Sequence, residues 1–294
     1  MDEQKNALAG DGTKLGYRVS RAEQAGACAI VLIHGLASNL TRWSEFTQYT
    51  SLKSEWNLLR IDLRGHGTSA YRGKYDRIIW CEDLRSVIEQ ENFSRVVIIG
   101  HSLGAQVAIR FAHLFPDKTL GLILIDPIFP NALRGSLGIA KKLRPLLWFL
   151  IRLVWLFNKL GWKRNNIPPR DLYELDKKTR HTLATDPHAN IAKLYMSPWE
   201  DFKHIPTANY LQDLYEVTKP VTKQSNIQIP VLALLSAGAS VTHRALIQKA
   251  IAEFPNHKTI IFDADHWLLT EKPKEARECI EQWCRETFTH LTHH

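Results

Sequence analysis

Short apolar, β-branched runs recur along the chain at Ala29 to Ile33, Asn57 to Ile61, Arg95 to Ile99, Gly121 to Ile125, Pro230 to Leu235 and Lys258 to Phe262. Helical periodicity fills Tyr75 to Asn92, Ala105 to Phe115, Ser240 to Phe254 and Lys274 to Phe288. Strands that read as nearly continuous apolar runs must be buried on both faces, and a mostly parallel sheet covered by helices on both sides provides that. The earlier segment Lys14 to Val19 is expected to add an antiparallel edge. Pro116 and Pro255 fall just beyond two of the helical stretches, where a residue lacking an N–H cannot prolong a helix.

The alternation lapses between Asp126 and about Ser225, where the composition turns helical, Trp-rich and basic. The expected division is therefore a core of residues 1–126 and 226–294 interrupted by a helical cap at 127–225, with Pro168-Pro169 separating two cap helices. A chain of 294 residues, 45% of them hydrophobic, can bury a core of that size. The formal net charge is +8, but Arg134 to Arg180 alone holds twelve Lys and Arg against three Asp and Glu. The charge thus belongs to the cap. No zinc-finger, helix-turn-helix or aromatic RNA-binding signature accompanies it, and no nucleic-acid partner is expected.

Cys28, Cys81, Cys279 and Cys284 are scattered, without Cys-x-x-Cys or metal-ligand spacing, and read as reduced thiols. The polar stretch Met1 to Asn6 lacks the basic and apolar regions of a signal peptide. The expectation is a cytoplasmic protein. The closing His290, His293 and His294 are assigned no role, and the sequence does not set the oligomeric state.

The sharpest chemical signal is Gly100-His101-Ser102-Leu103-Gly104, set between the run ending at Ile99 and a predicted helix. Such a tight strand-to-helix turn excludes bulky neighbours and lifts a serine hydroxyl above the strand end, beside a helix N-terminus. Ser102 is accordingly the candidate nucleophile. A second strand ends in Ile33-His34-Gly35-Leu36.

Together these segments resemble the α/β-hydrolase superfamily. The resemblance implies an α/β-hydrolase fold with an inserted cap, and an oxyanion hole made by the backbone N–H groups of Leu36 and Leu103. It implies only a structural role for the His34 side chain. Asp62-Leu63-Arg64-Gly65-His66-Gly67-Thr68-Ser69 looks like the family's Asp-x-Arg-Gly-His-Gly-x-Ser turn, diagnostic of fold rather than chemistry. Asp263-Ala264-Asp265-His266-Trp267, followed by Glu271-Lys272-Pro273, resembles the family's histidine loop and implies His266 as base.

The acid departs from the commonest family pattern. The loop after Leu235 reads Ser236-Ala237-Gly238-Ala239-Ser240-Val241-Thr242-His243 and contains no carboxylate, with Ser240 standing where the acid is usual. A minority of the family places the acid one strand earlier, which implies Asp126 of Ile125-Asp126-Pro127. Loss of an acid from position 240, or incomplete activity, stays open. Glu253, Asp263 and Asp265 are poorer candidates.

These assignments imply a serine hydrolase cleaving carboxylic esters or thioesters through an acyl-enzyme on Ser102, with no metal or organic cofactor required. Serine at the elbow is unlike the epoxide hydrolases and haloalkane dehalogenases of the superfamily, which carry Asp there. Two alternatives remain: a carbon–carbon bond hydrolase, suggested by His266-Trp267, and a non-catalytic binding protein with this fold. The segment Pro145 to Phe157 is apolar apart from Arg152, and Lys141, Lys142, Arg144, Lys159, Lys163 and Arg164 flank it. It is too short to span a bilayer. Either it lines an acyl pocket, which would make Trp148 a substrate contact together with Trp267, or it meets anionic lipid as an interfacial helix.

Overall fold

One eight-stranded sheet forms the centre of the molecule: β1 (Asp2–Leu8), β2 (Lys14–Ser20), β3 (Cys28–Ile33), β4 (Asn57–Ile61), β5 (Arg95–His101), β6 (Thr119–Ile125), β7 (Val231–Ser236) and β8 (His257–Phe262). Their spatial order is β1-β2-β4-β3-β5-β6-β7-β8, antiparallel at β1–β2 and β2–β4 and parallel from β4 to β8. This computed structural model describes residues 2–22, 26–186, 189, 191–195, 197–238 and 241–289. The expected apolar runs each form a strand. The polar Asp2–Leu8 also does, as a largely exposed outer edge whose charged side chains guard it against further pairing.

Among the described residues there are twelve α-helices in chain order: α1 (Ser44–Tyr49), α2 (Arg77–Gln90), α3 (Leu103–Leu114), α4 (Gly135–Lys142), α5 (Arg144–Lys159), α6 (Leu172–Thr185), α7 (Ala192–Tyr195), α8 (Pro198–His204), α9 (Thr207–Val217), α10 (Arg244–Ile251), α11 (Leu268–Glu271) and α12 (Pro273–Phe288). Local chemistry sets their limits. The Asp76 side chain accepts from the N–H groups of Ile78 and Ile79 to start α2, and Asn92, left-handed at φ +58°, ends it. Pro273 opens α12 where no N–H is needed.

Alternation along the strands divides the core in two. Ala29, Val31 and Ile33 face α2, α3 and α10 on one side of the sheet, while Ile30 and Leu32 face α1 and α12 on the other. All five are fully buried, and each larger side chain contributes about 1.5–3 kcal/mol by leaving water. The chain winds one way from β3 to β4 and the other way from β5 onward. The crevice at the carboxyl ends of β3 and β5 is therefore the topological switch point, where such sheets hold their ligands.

Helices α4 to α9 lie between β6 and β7, over that crevice. Buried polar contacts tie α9 to the loop that follows β4. His66 pairs with Asp213 at 2.9 Å, the Tyr75 hydroxyl donates to Asp213 at 3.0 Å, and the Asn209 amide donates to the carbonyls of Gly65 and Tyr71. The turn read as a fold marker is thus also the seat of α9, one of the helices inserted between β6 and β7. Burial alone would keep the His66 imidazole neutral, but the Asp213 carboxylate outweighs it and raises its pKa.

A group whose pKa is raised by folding stabilises fully below its ordinary value, here 6.5, and loses that contribution as pH climbs through the raised value. The stability gap between wild type and His66→Gln, read from urea unfolding, is expected to narrow as pH rises above 6.5 and through the raised value. A constant gap over that range would show that the pair supplies no titratable stability.

Candidate active site

Ser102 sits at φ +57° and ψ −116°, between the end of β5 and the first turn of α3. That conformation costs a non-glycine residue about 1–3 kcal/mol and persists only where the surroundings enforce it. Here the glycines permit it. A Cβ on Gly100 would meet the Gly104 carbonyl oxygen at 2.4 Å, and one on Gly104 would meet the carbonyl oxygens of Ile33 and His34 at 2.5 Å. The spacing of the motif is thereby explained by backbone contact between the β5 turn and the end of β3.

His266, in the loop between β8 and α11, accepts the Ser102 hydroxyl at Nε2 over 2.9 Å. Its Nδ1 donates to Asp126 Oδ2 at 2.5 Å. Asp126 stands at the end of β6 with φ +42°, and its other oxygen accepts the backbone N–H of Ser236 at 2.9 Å and the Ser236 hydroxyl at 2.8 Å. Burial disfavours the Asp126 carboxylate, but the hydrogen bonds from His266 and Ser236 outweigh it and hold its pKa below the ordinary value. The carboxylate therefore remains charged beside the imidazole. The three groups form one continuous line of hydrogen bonds from hydroxyl to carboxylate.

The histidine loop is braced from several sides. The Glu271 carboxylate accepts the Asp265 N–H at 3.0 Å, which gives the Glu-x-Pro segment its purpose. Gly238 donates to the Ala264 carbonyl, fastening the loop after β7 to the one after β8. His101 donates from Nε2 to the His266 carbonyl at 3.0 Å. Burial, reinforced by the neighbouring His266 imidazole, pushes the His101 imidazole down to about 3, so it stays neutral and keeps that proton.

The Leu36 N–H has no acceptor among the described residues, and the Leu103 N–H, first in α3, is one that a helix leaves unpaired. Gly35 brings the first close: a Cβ there would meet Ser102 Cβ at 3.2 Å. His34 is fully buried, with Nδ1 on the Gly35 carbonyl and Nε2 accepting the Leu63 N–H. Ser240 and Ala239 lie outside the described residues. Asp263, Asp265 and Glu253 make no contact with His266 Nδ1, whose carboxylate partner is Asp126.

A cavity of about 350 Å³ opens above Ser102 and His266, between core and cap. Apolar side chains dominate its walls, among them Leu36, Leu137, Phe202, Leu214, Val241 and Trp267. Trp267 stacks on Tyr195 with ring centroids 5.2 Å apart. Trp148, expected to reach substrate, does not line this cavity. It is half exposed and bordered by Arg152, whose guanidinium carbon lies 3.8 Å from its ring centroid. The reason is that α5 buries Leu147 and Ile151 and packs on α9, and it is α9 that supplies Tyr210, Leu211 and Leu214 to the wall. The apolar helix therefore forms a second layer, not the pocket lining.

Several residues of the site carried no recognisable signal in the sequence. Ser236 belongs to a loop singled out for what it lacks, and His101 looked like the variable position of a motif. Arg42, buried in the cavity wall, spends Nη1 on Asp176 and Thr270, and Arg170 pairs with Asp201 at 2.9 Å. Both are joined to the site only by tertiary contacts.

A doubly covered sheet with a hydroxyl, an imidazole and a carboxylate aligned at its switch point defines the hydrolase class of α/β protein. The chain belongs to the alpha/beta hydrolase family, whose model matches residues 30–278. It is similar to Epoxide hydrolase 3 of Xenopus tropicalis, 26% identical over 273 residues that cover 88% of this chain and 72% of that one. Its fold is similar to that of a thermophilic esterase from Thermogutta terrifontis, with TM-score 0.69, 18% identity and coverage of 97% and 99% of the two chains. An esterase from Exiguobacterium antarcticum matches with TM-score 0.69 and 16% identity, over 96% of this chain and 100% of that one.

Asp126→Asn is expected to slow fluorophosphonate labelling of Ser102 by a factor on the order of 10⁴, because an amide donor opposite Nδ1 favours the wrong tautomer. Ser236→Ala removes one of two donors to Asp126 Oδ1 and is expected to slow labelling only about tenfold. Labelling of the Asn variant at the wild-type rate would remove Asp126 from the relay.

Proposed function

We propose that this protein is a serine hydrolase that cleaves esters or thioesters of apolar acyl groups through an acyl-enzyme on Ser102. The observation that carries the reading is the unbroken hydrogen-bond line from Ser102 Oγ through His266 to Asp126. His266 Nε2 takes the hydroxyl proton as Oγ attacks the carbonyl carbon, and Asp126 stabilises the imidazolium that forms. The N–H groups of Leu36 and Leu103 receive the developing oxyanion, each contributing on the order of 2.7–4 kcal/mol to the transition state. The imidazolium returns its proton to the leaving alcohol or thiol. Water, deprotonated by His266, then releases the acid and regenerates Ser102.

The name of the frog relative raises epoxide opening as an alternative, and the chemistry of the elbow argues against it. Attack by Ser102 on an epoxide carbon would leave an ether, which water activated by His266 does not cleave. Attack on a carbonyl leaves an ester, which it does. The apolar walls of the cavity favour hydrocarbon acyl chains, and no step calls on a metal or organic cofactor.

With p-nitrophenyl octanoate, a burst of nitrophenol and an octanoyl mass increment on Ser102 are expected, both absent from Ser102→Ala. A folded wild type giving neither would overturn the mechanism. Over a series of chain lengths, octanoyl esters are expected to exceed acetyl esters in kcat/KM by more than about tenfold, since two newly buried methylenes at about 0.8 kcal/mol each suffice. A preference for acetyl would refute the apolar acyl pocket.

A further inference from the structure

The cap turns an apolar face away from the protein. Of the sixteen residues of α5, only Leu147 and Ile151 are buried. On the opposite side, residues at helical spacing leave Phe149 57%, Leu156 52% and Leu160 64% exposed, and Trp162 just beyond the helix is 74% exposed. Ile139 and Leu143, at α4 and its end, are also exposed apolar side chains. A helix on a water-facing surface ordinarily shows water its polar stripe. Here the outward stripe is apolar as well as the inward one, and exposed apolar surface of this extent marks an interaction site.

Charge identifies what covers it. No Asp or Glu occurs between Asp126 and Asp171, while Lys142, Arg152, Lys159 and Lys163 are all exposed on these elements. None of the four forms an ion pair among the described residues. Arg152 stays within the apolar face by lying over the Trp148 ring while remaining exposed. Aromatic and leucine side chains ringed by unpaired cations, on a helix lying along the surface, fit the interface of a bilayer that carries negative headgroups. No helix among the described residues is long and apolar enough to cross a membrane, so the contact is peripheral.

We propose that α4, α5 and the turn through Trp162 form a docking face for anionic lipid bilayers, with the apolar side chains entering the headgroup boundary and the lysines meeting lipid phosphates. The placement has a consequence for substrate. Ser136, Leu137 and Ala140 on the inner side of α4 line the cavity above Ser102, so docking sets one wall of that cavity one helix away from the acyl chains of the membrane. This inference concerns the outer face of the cap and does not depend on the chemistry proposed for Ser102.

The test is flotation of the full chain with vesicles of phosphatidylcholine mixed with phosphatidylglycerol, against vesicles of phosphatidylcholine alone. Binding is expected to the mixed vesicles at low ionic strength and to be largely released near 1 M salt, where screening falls to about 3 Å. Phe149→Ser, Leu156→Ser and Trp162→Ser combined should abolish binding. Lys142→Gln, Lys159→Gln and Lys163→Gln combined should weaken it by a factor on the order of a hundred, as three lost surface charges imply. Because all these side chains are exposed, the variants should melt with the wild type; should the serine variant fold poorly, the glutamine variant decides alone. Ser102→Ala should bind as wild type, which separates docking from hydrolysis. Failure of the wild type to float with mixed vesicles at low salt would overturn the proposal. So would a dimer in sedimentation velocity that the serine variant dissociates, since a second copy would then cover the face.

Discussion

The close approach of two backbones at the switch point is the constraint on which the rest of the site depends. Gly104 lies so near the carbonyl oxygens of Ile33 and His34 that no side chain fits between, and this nearness brings the β3 and β5 loops onto one reacting centre. Ser102 is forced into a left-handed turn by the same geometry, with its hydroxyl above the sheet and the first N–H of α3 beside it. The hydrogen bond from Ser102 N–H to the Ile125 carbonyl ties the strained turn to β6, the strand that carries Asp126. Strain at Ser102 is thus held by packing on either side.

A second constraint sets the space above Ser102. Buried polar pairs join the helices between β6 and β7 to the segments beneath them, His66 with Asp213 and Arg42 with Asp176. Such pairs add little net stability compared with apolar packing, but removing one partner leaves a buried charge and costs several kcal/mol. They therefore fix where the cap sits. The cavity they leave is apolar because the helix surfaces turned toward it are, while polar groups are spent at its margins.

Legibility in the sequence followed the range of the interactions. The apolar strands and the approximate limits of α2, α3, α10 and α12 could be read because they rest on local patterns: nearly continuous apolar runs, helical periodicity, and prolines at 116 and 255. Gly100 to Gly104 could be read because a steric demand leaves a mark on adjacent residues. The polar edge Asp2–Leu8 could not, since an edge strand needs no apolar face. That Trp148 lies outside the cavity wall could not be read for a related reason: hydrophobicity marks a helix for contact but does not say which layer it occupies.

The acid illustrates the division best. By itself the sequence determined the Gly100 to Gly104 turn, the histidine loop, and the absence of a carboxylate in the described part of the loop after β7, because each is written in a few neighbouring residues. Only the tertiary structure decided that Asp126, 140 residues from His266, supplies the partner of Nδ1, and that Ser236 turns the other carboxylate oxygen. The same holds for the outward apolar face of α5. The reason is physical: parallel strands bring their carboxyl ends to one edge whatever their separation along the chain, so the contacts that complete the site form between residues that no local pattern connects.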